Sequence, residues 1–295
     1  MKKALLVGIN YIGTNYELKG CINDTTNINN FLLTIGYLQK DITRLTDNIT
    51  DITDITNKPT LTQKPTKQNI ITALKNMVNN AKPRDELFFL YSGHGTQIAD
   101  ISGDELISSK DSVLVPIDFE VNGFILDDDI RAILSQLKKN VRMTIIMDCC
   151  NSGTCCDLKY TYRDLSYNKP TANLRNYKSV EWITQQKKIV NNNYSDCNGD
   201  IIMISGCDDL QTSADTSFNG VPSGALTGIL LLILSDYKNV LSWSTLLKDL
   251  NRRLKLLGYT QRPRLSTGKD INLKTNVFLN YKPYKPYNPY KPYDL

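Results

Sequence analysis

The chain has a single histidine, His94, in the run Tyr91-Ser92-Gly93-His94-Gly95 directly after an apolar stretch. Two adjacent cysteines stand in Asp148-Cys149-Cys150-Asn151-Ser152-Gly153, directly after another. Imidazole is the side chain whose unperturbed pKa suits proton transfer near neutrality, and flanking glycines let backbone approach a ligand closely. A thiolate beside a histidine is an activated nucleophile for acyl transfer. The blander readings are a turn histidine between flexible glycines and a buried or metal-binding cysteine cluster. Zinc sites favour Cys-x2-4-Cys spacing, which the adjacent pairs Cys149-Cys150 and Cys155-Cys156 fit poorly in a chain with one histidine.

Residues so distant in sequence meet only if a scaffold brings them together. Short runs rich in β-branched or aromatic residues recur at Ala4 to Ile9, Glu86 to Tyr91, Ser112 to Ile117, Met143 to Met147 and Ile201 to Ile204, as buried parallel strands require. Helical spacing of apolar residues marks Asp24 to Thr34, Thr66 to Asn79, Asp127 to Leu137, Gly224 to Asp236 and Trp243 to Leu257. The alternation predicts an α/β layered fold with ligands at the carboxyl ends of the strands. If the strands before His94 and before Cys149 lie parallel in one sheet, both motifs emerge at the same edge. Gln39 to Lys67, with its Asp-Ile-Thr repeat, reads as a loop. Tyr160 to Asn198 reads as a linker with a short helix near Val180 to Val190. The Tyr-Lys-Pro repeats from Tyr281 favour a polyproline II tail outside any core.

Composition narrows the classes. Of 295 residues, 41% are hydrophobic and 22% charged, which excludes a wholly disordered or collagen-like chain. Ala225 to Leu234, the longest apolar stretch, is too short to span a bilayer. The net charge of +5 comes from 35 Lys and Arg against 30 Asp and Glu. It is scattered rather than gathered in the basic stripe that nucleic acid requires. Seven cysteines, four of them in adjacent pairs, argue against a disulfide framework and for a reducing compartment, here the cytoplasm. Met1-Lys-Lys and Ala4 to Ile9 make too short a leader for a signal peptide, so a mature N-terminus is expected.

Taken together, Tyr91 to Gln97 and Asp148 to Gly153 resemble the paired histidine and cysteine motifs of metacaspases, the caspase-like cysteine proteases of plants, fungi and protists. The resemblance extends over nearly the whole chain. It includes Gly20-Cys21-Ile22-Asn23-Asp24, Pro116-Ile117-Asp118-Phe119, Asp127-Asp128-Asp129, Ser205 to Asp215 and Gly258-Tyr259-Thr260-Gln261. A separation of about 56 positions between His94 and Cys150 is close to the caspase-type spacing of about 50.

The resemblance implies a caspase-like three-layer sandwich with a central, mostly parallel sheet flanked by helices. It would fill residues 1–280, with a large-subunit-like region at 1–159, a linker at 160–198, a small-subunit-like region at 199–280 and a tail at 281–295, and would lack the N-terminal prodomain of type I members. It implies Cys150 as nucleophile, His94 as general acid/base, and the N–H groups of Gly95 and Cys150 as an oxyanion hole. It carries an acidic pocket for Arg or Lys onto Cys21, Asp24, Ser92 and Asp148, with both carboxylates ionised near neutrality. Read alone, Asp24 suits a helix cap and Asp148 a strand-end turn. Calcium, as an activator outside the chemistry, is carried onto Asp111, Asp127, Asp128 and Asp157. Read alone, Asp127 to Asp129 suit a helix N-terminus. Two positions depart from the family pattern: Cys149 replaces the usual Ser and Asn151 the usual His. The implied function is a calcium-stimulated, self-processing, monomeric endopeptidase acting on protein or peptide substrates after Arg or Lys, with neither nucleic acid nor membrane as partner. The alternative is a catalytically weak regulator or scaffold of the same fold.

Overall fold

A computed structural model describes residues 1–48, 63–99, 110–150, 155–164, 186–206, 215–218, 220–237 and 241–277. The chain opens with β1 (Lys2–Gly8), α1 (Cys21–Thr34), β2 (Ile42–Thr46), α2 (Lys67–Asn79) and β3 (Glu86–Ser92). A small hairpin region follows, with β4 (Gly95–Ala99), β5 (Lys110–Leu114), α3 (Phe119–Asn122) and β6 (Ile125–Leu126), leading into α4 (Asp127–Leu134) and β7 (Arg142–Asp148). The second half comprises β8 (Tyr160–Asp164), β9 (Gln186–Val190), β10 (Asp200–Ser205), β11 (Asp215–Phe218), β12 (Val221–Gly224), α5 (Ala225–Asp236), α6 (Trp243–Leu256) and β13 (Arg264–Thr267).

Eight strands form one sheet in the order β2-β1-β3-β7-β10-β13-β8-β9. From β2 to β10 all pairings are parallel, and from β10 to β9 all are antiparallel. Alternate side chains of each central strand enter opposite cores, as the two-residue period of a strand demands. Leu5, Val7, Phe89, Tyr91, Ile145, Met147 and Met203 pack with Ile70 and Leu74 of α2 and Ile130 and Ile133 of α4. On the other face, Leu6, Phe88, Leu90, Ile146 and Ile204 pack with Ile28 and Leu32 of α1, most of α5, and Leu246 and Leu250 of α6. Helix, sheet and helix therefore make the three α/β layers expected. α5 is buried nearly all round because it lies between the sheet and α6.

Several local expectations need correction. The apolar run at Ser112 to Ile117 is not a member of the parallel sheet. Its first half belongs to β5, which pairs antiparallel with β4 and β6 in a separate three-stranded sheet. Pro116, with no N–H to give a ladder, lies beyond the strand's end. Within the expected loop at Gln39 to Lys67, Ile42 to Thr46 form an edge strand whose Ile42 and Leu45 are buried. The Asp-Ile-Thr repeat lies outside the described residues. The stretch expected as a linker contributes β8 and β9 to the central sheet, and the end of the helix expected near Val180 to Val190 is strand. The Tyr-Lys-Pro tail also lies outside the described residues. Among the described residues no helix is long and apolar enough to cross a membrane.

Candidate active site

The ends of β3 and β7 set the site. These parallel neighbours run in register from Glu86 opposite Arg142 to Ser92 opposite Asp148. His94 and Cys150 each follow two residues beyond that last pair, and Gly93 N donates to Asp148 O at 3.4 Å across the gap. Gly95 then passes against the cysteine turn. A Cβ there would stand 2.3 Å from the Cys150 carbonyl oxygen and 3.2 Å from Cys149 Sγ, so only glycine permits this approach. Cys150 is half-buried, whereas Cys149 is 1% exposed and belongs to the core beneath the site. The two adjacent thiols are thus separated by environment: one is partly exposed and the other is enclosed in the interior.

The half-buried His94 ring is oriented by the segment between β1 and α1. Its Nε2 lies 2.8 Å from the Tyr16 carbonyl oxygen, which can only accept, so Nε2 carries the proton. In the neutral imidazole Nδ1 is then the basic nitrogen. Tyr11 packs its ring 4.7 Å from the imidazole, and Tyr16 meets the imidazole edge-on at 6.5 Å. Neither tyrosine belongs to a motif that sequence reading singles out. Both lie in the segment between β1 and α1, which is where the loops at a parallel strand's carboxyl end gather.

At the same strand ends lies a buried acidic pair. Asp24 is fully buried and Asp148 is 4% exposed. Asp148 ends β7 ahead of a turn, as its blander reading has it, but Asp24 does not cap its own helix. α1 begins at Cys21 with Gly20 as its cap, and the Asp24 carboxylate instead points at the start of α5. It accepts from Ser92 Oγ at 2.7 Å, from Ser223 Oγ at 2.6 Å and from Gly224 N at 3.0 Å. Asp148 accepts from Thr227 N at 2.8 Å, the third residue of α5, where the helix's partial positive charge favours an anion. Gly224 separates the two carboxylates so closely that a Cβ would fall 2.2 Å from Asp148 Oδ2 and 2.8 Å from Asp24 Oδ2. Cys21, 5% exposed, and Ser92, 1% exposed, complete the expected group. Burial, and next the neighbouring Asp148 charge, push the Asp24 carboxyl well above the usual carboxylate range. That direction runs against the expectation of two readily ionised carboxylates, while the hydrogen bonds from Ser223, Ser92 and Gly224 pull Asp24 the other way. Ser223, Gly224 and Thr227 were not among the expected site residues. The signal that could have found them is the small-residue run Pro222-Ser223-Gly224, the end of β12, immediately before an apolar helix.

The aspartates expected to hold calcium belong to β5, the start of α4 and the stretch after β7. Asp111, Asp127 and Asp157 are 2%, 2% and 3% exposed, and Asp128 is partly buried. Asp127 Oδ2 accepts from Ser112 N at 2.7 Å, which ties the start of α4 to β5 beside Asp111. The Cys156 thiol is pushed up by burial first, then by Cys155, Asp157 and Asp127, so those last two carboxylates share one neighbourhood. Asp129 accepts from Leu126 N at 3.4 Å, a helix-capping contact. Carboxylates from separate segments match calcium's preference for hard oxygen donors. Among the described residues, however, no three His, Cys, Asp or Glu side chains form a ready metal cage. The donor set fits calcium chemically without being preassembled for it.

Comparison with known proteins adds to this geometry. A family model described as metacaspase, peptidase C14 domain, matches residues 2–159. Metacaspase-1 of Kluyveromyces lactis is 37% identical over 308 residues, an alignment covering 94% of this chain and 68% of that protein. Metacaspase-1 of Scheffersomyces stipitis is 37% identical over 304 residues, covering 92% of this chain and 72% of that protein. The crystal structure of protein GSU0716 from Geobacter sulfurreducens superimposes with a TM-score of 0.63 at 23% identity, over 95% of this chain and 99% of its own, a likeness of fold.

Proposed function

The chain belongs to the metacaspase family and is a cysteine-type peptidase acting on protein substrates, and on that premise we propose that it cuts peptide bonds after Arg or Lys with Cys150 as nucleophile and His94 as general acid/base. The observation that carries this reading is the shared end of β3 and β7, which delivers both motifs to one edge with Gly95 against the Cys150 carbonyl. His94 Nδ1 takes the thiol proton, the sulfur adds to the scissile carbonyl carbon, and the carbonyl oxygen becomes negative. Backbone N–H groups of Gly95 and Cys150 are assigned to that oxygen, since preorganised donors act where charge develops. Collapse of the adduct expels the amine, which takes the proton from His94. Water, deprotonated by His94, then hydrolyses the thioester, and the proton returns to sulfur as the acid leaves.

Asp24 and Asp148, with Cys21 and Ser92, are assigned to the cationic side chain of the substrate. Two carboxylates facing one guanidinium or ammonium make charge-assisted hydrogen bonds. An arginyl chloromethyl ketone should alkylate Cys150 rapidly and an aspartyl one should not. A Cys150 that reacts with iodoacetamide yet ignores the arginyl reagent would contradict the pocket and favour the regulator reading.

Calcium is proposed as an activator held by Asp111, Asp127, Asp128 and Asp157. When bound it supplies the positive charge that lets these carboxylates gather. Self-processing is proposed within the stretch between β8 and β9. Arg163, Lys187 and Lys188 sit inside strands of the central sheet and Lys159 O accepts from Asn191 N, so backbone pairing protects them. Lys169, Arg175 and Lys178 are the remaining candidates. Their joint replacement by Gln should keep the chain whole in calcium, and continued cleavage between β8 and β9 would reject the assignment. The buried cysteines, with the adjacent pairs Cys149-Cys150 and Cys155-Cys156 poorly placed to bridge each other, support a cytoplasmic, reducing setting, and purification of the native protein with these pairs oxidised would argue against it.

A further inference from the structure

Two buried tyrosines grip the histidine from behind. Tyr11 stands in the turn after β1 at φ 52°, a left-handed conformation that a bulky residue holds only where its surroundings enforce it. Those surroundings are specific. Asp47, just beyond β2, accepts from Asn10 N at 2.9 Å and from Ile12 N at 3.1 Å, and Thr14 donates from both N and Oγ1 to Tyr11 O. The turn places the Tyr11 ring, 1% exposed, against the His94 imidazole. Its Oη accepts from His94 N at 3.0 Å and donates to Val115 O at 2.6 Å.

Tyr91, at the end of β3, is fully buried and completes the clamp. Its Oη accepts from Val115 N at 3.1 Å and has one proton for two carbonyls, His94 O and Val115 O, each at 2.9 Å. The two phenol oxygens lie 3.4 Å apart. The His94 N–H is thus held by one phenol, its carbonyl, which also accepts from Val115 N at 3.2 Å, lies within reach of the other, and the same phenols tie Val115, the residue that follows β5. Burial pushes both phenols above their ordinary value, so each keeps its proton to donate. A core that needed only bulk would be filled as well by phenylalanine; these hydroxyls are spent on the backbone of His94 and of Val115, where two segments meet.

We infer that Tyr11 and Tyr91 are positioning residues for His94, fixing its loop so that Nε2 meets the Tyr16 carbonyl and Nδ1 is presented to the thiol. The inference rests on His94 as the general base, and its test separates the two. Tyr11→Phe, Tyr91→Phe and His94→Ala would be compared with wild type by the pH dependence of Cys150 alkylation with iodoacetamide, followed by mass spectrometry of that peptide, and by kcat and KM on an arginyl peptide below the melting temperature. Wild type should show alkylation persisting below the ordinary thiol range, as a histidine-paired thiolate does, and His94→Ala should lose it. Each Phe variant should shift that alkylation upward by about one pH unit and lower kcat about tenfold or more, with KM within about twofold. Folded Phe variants with the wild-type profile and kcat would overturn the inference. So would a lowered melting temperature with an unshifted profile, which would leave the phenols a structural role alone. A His94→Ala protein that retains the low-pH reactivity would refute the general-base reading itself, and this inference with it.

Discussion

At the scale of single residues, the most informative contrast is between two neighbours of the same type. Cys150 is half-buried just past the end of β7, whose neighbour β3 leads to His94, while Cys149 is enclosed with Tyr11 and Tyr91. Cys150→Ala should abolish turnover. Cys149→Ser should retain most of it, at a stability cost of about 1–3 kcal/mol for a hydroxyl in an apolar setting. Equal loss of turnover in both would show that the thiols have been assigned the wrong way round. Asp24 supplies a second test. Its carboxyl is raised by burial and by Asp148, so its folded value exceeds its unfolded one. Its contribution to stability is then complete below the unfolded value and declines as pH rises toward the folded one. An arginine, always charged, should displace the Asp24 proton as it binds. KM for an arginyl peptide should therefore fall as pH rises through that window, by up to about tenfold per unit. A KM independent of pH would mean that the pair does not face the substrate's cation.

At the scale of elements, the pocket is also a helix cap. α5 has no capping side chain of its own at Gly224, and Asp148, contributed by β7, accepts the N–H of its third residue instead. The β11–β12 hairpin is fastened to α1 by Asn23 Nδ2 donating to Pro222 O at 2.9 Å, besides the Asp24 bonds to Ser223 and Gly224. Gly224→Ala should consequently raise KM for arginyl peptides about tenfold or more, since its Cβ would displace the carboxylates. Iodoacetamide should still alkylate Cys150 at the wild-type rate. An unchanged KM would place the substrate's side chain elsewhere. This arrangement also explains what sequence reading reached and what it missed. The strands of the central sheet with continuous apolar runs, β1, β3, β7 and β10, are visible because both their faces are buried. β2, β8 and β9 are short edge or near-edge strands with mixed polar residues. Lys187 and Lys188 on β9 give that edge the charge that discourages pairing with other chains. Motif residues were legible one by one, but caps and clamps made in trans, by Asp148 on α5 or Tyr11 on His94, leave no local periodicity to read.

At the scale of the whole molecule, three layers leave the central strands fixed and place chemistry in the segments beyond their carboxyl ends. Asp111, Asp127, Asp128 and Asp157 belong to three segments, β5, the start of α4 and the stretch after β7, and Asp157 follows Cys150 by a few residues. Calcium should raise activity at high micromolar to millimolar concentration, and titration calorimetry should register its binding with magnesium a poor substitute. Asp128→Ala should lose that binding heat while its melting temperature in chelator stays within a few degrees of wild type. Full activity in excess chelator, or binding that survives the substitution, would confine these aspartates to capping and turn formation. The central claim is that one edge of this sheet holds a Cys150–His94 peptidase with an acidic pocket for a cationic side chain, and its most direct measurement is turnover of matched fluorogenic peptides with Arg or Asp at the cleavage position. In calcium, kcat/KM should favour Arg by at least about a hundredfold, because a carboxylate would meet like charge in a partly desolvated pocket, and Cys150→Ala should turn over neither. Comparable rates for the two peptides, or turnover that survives Cys150→Ala, would contradict the account.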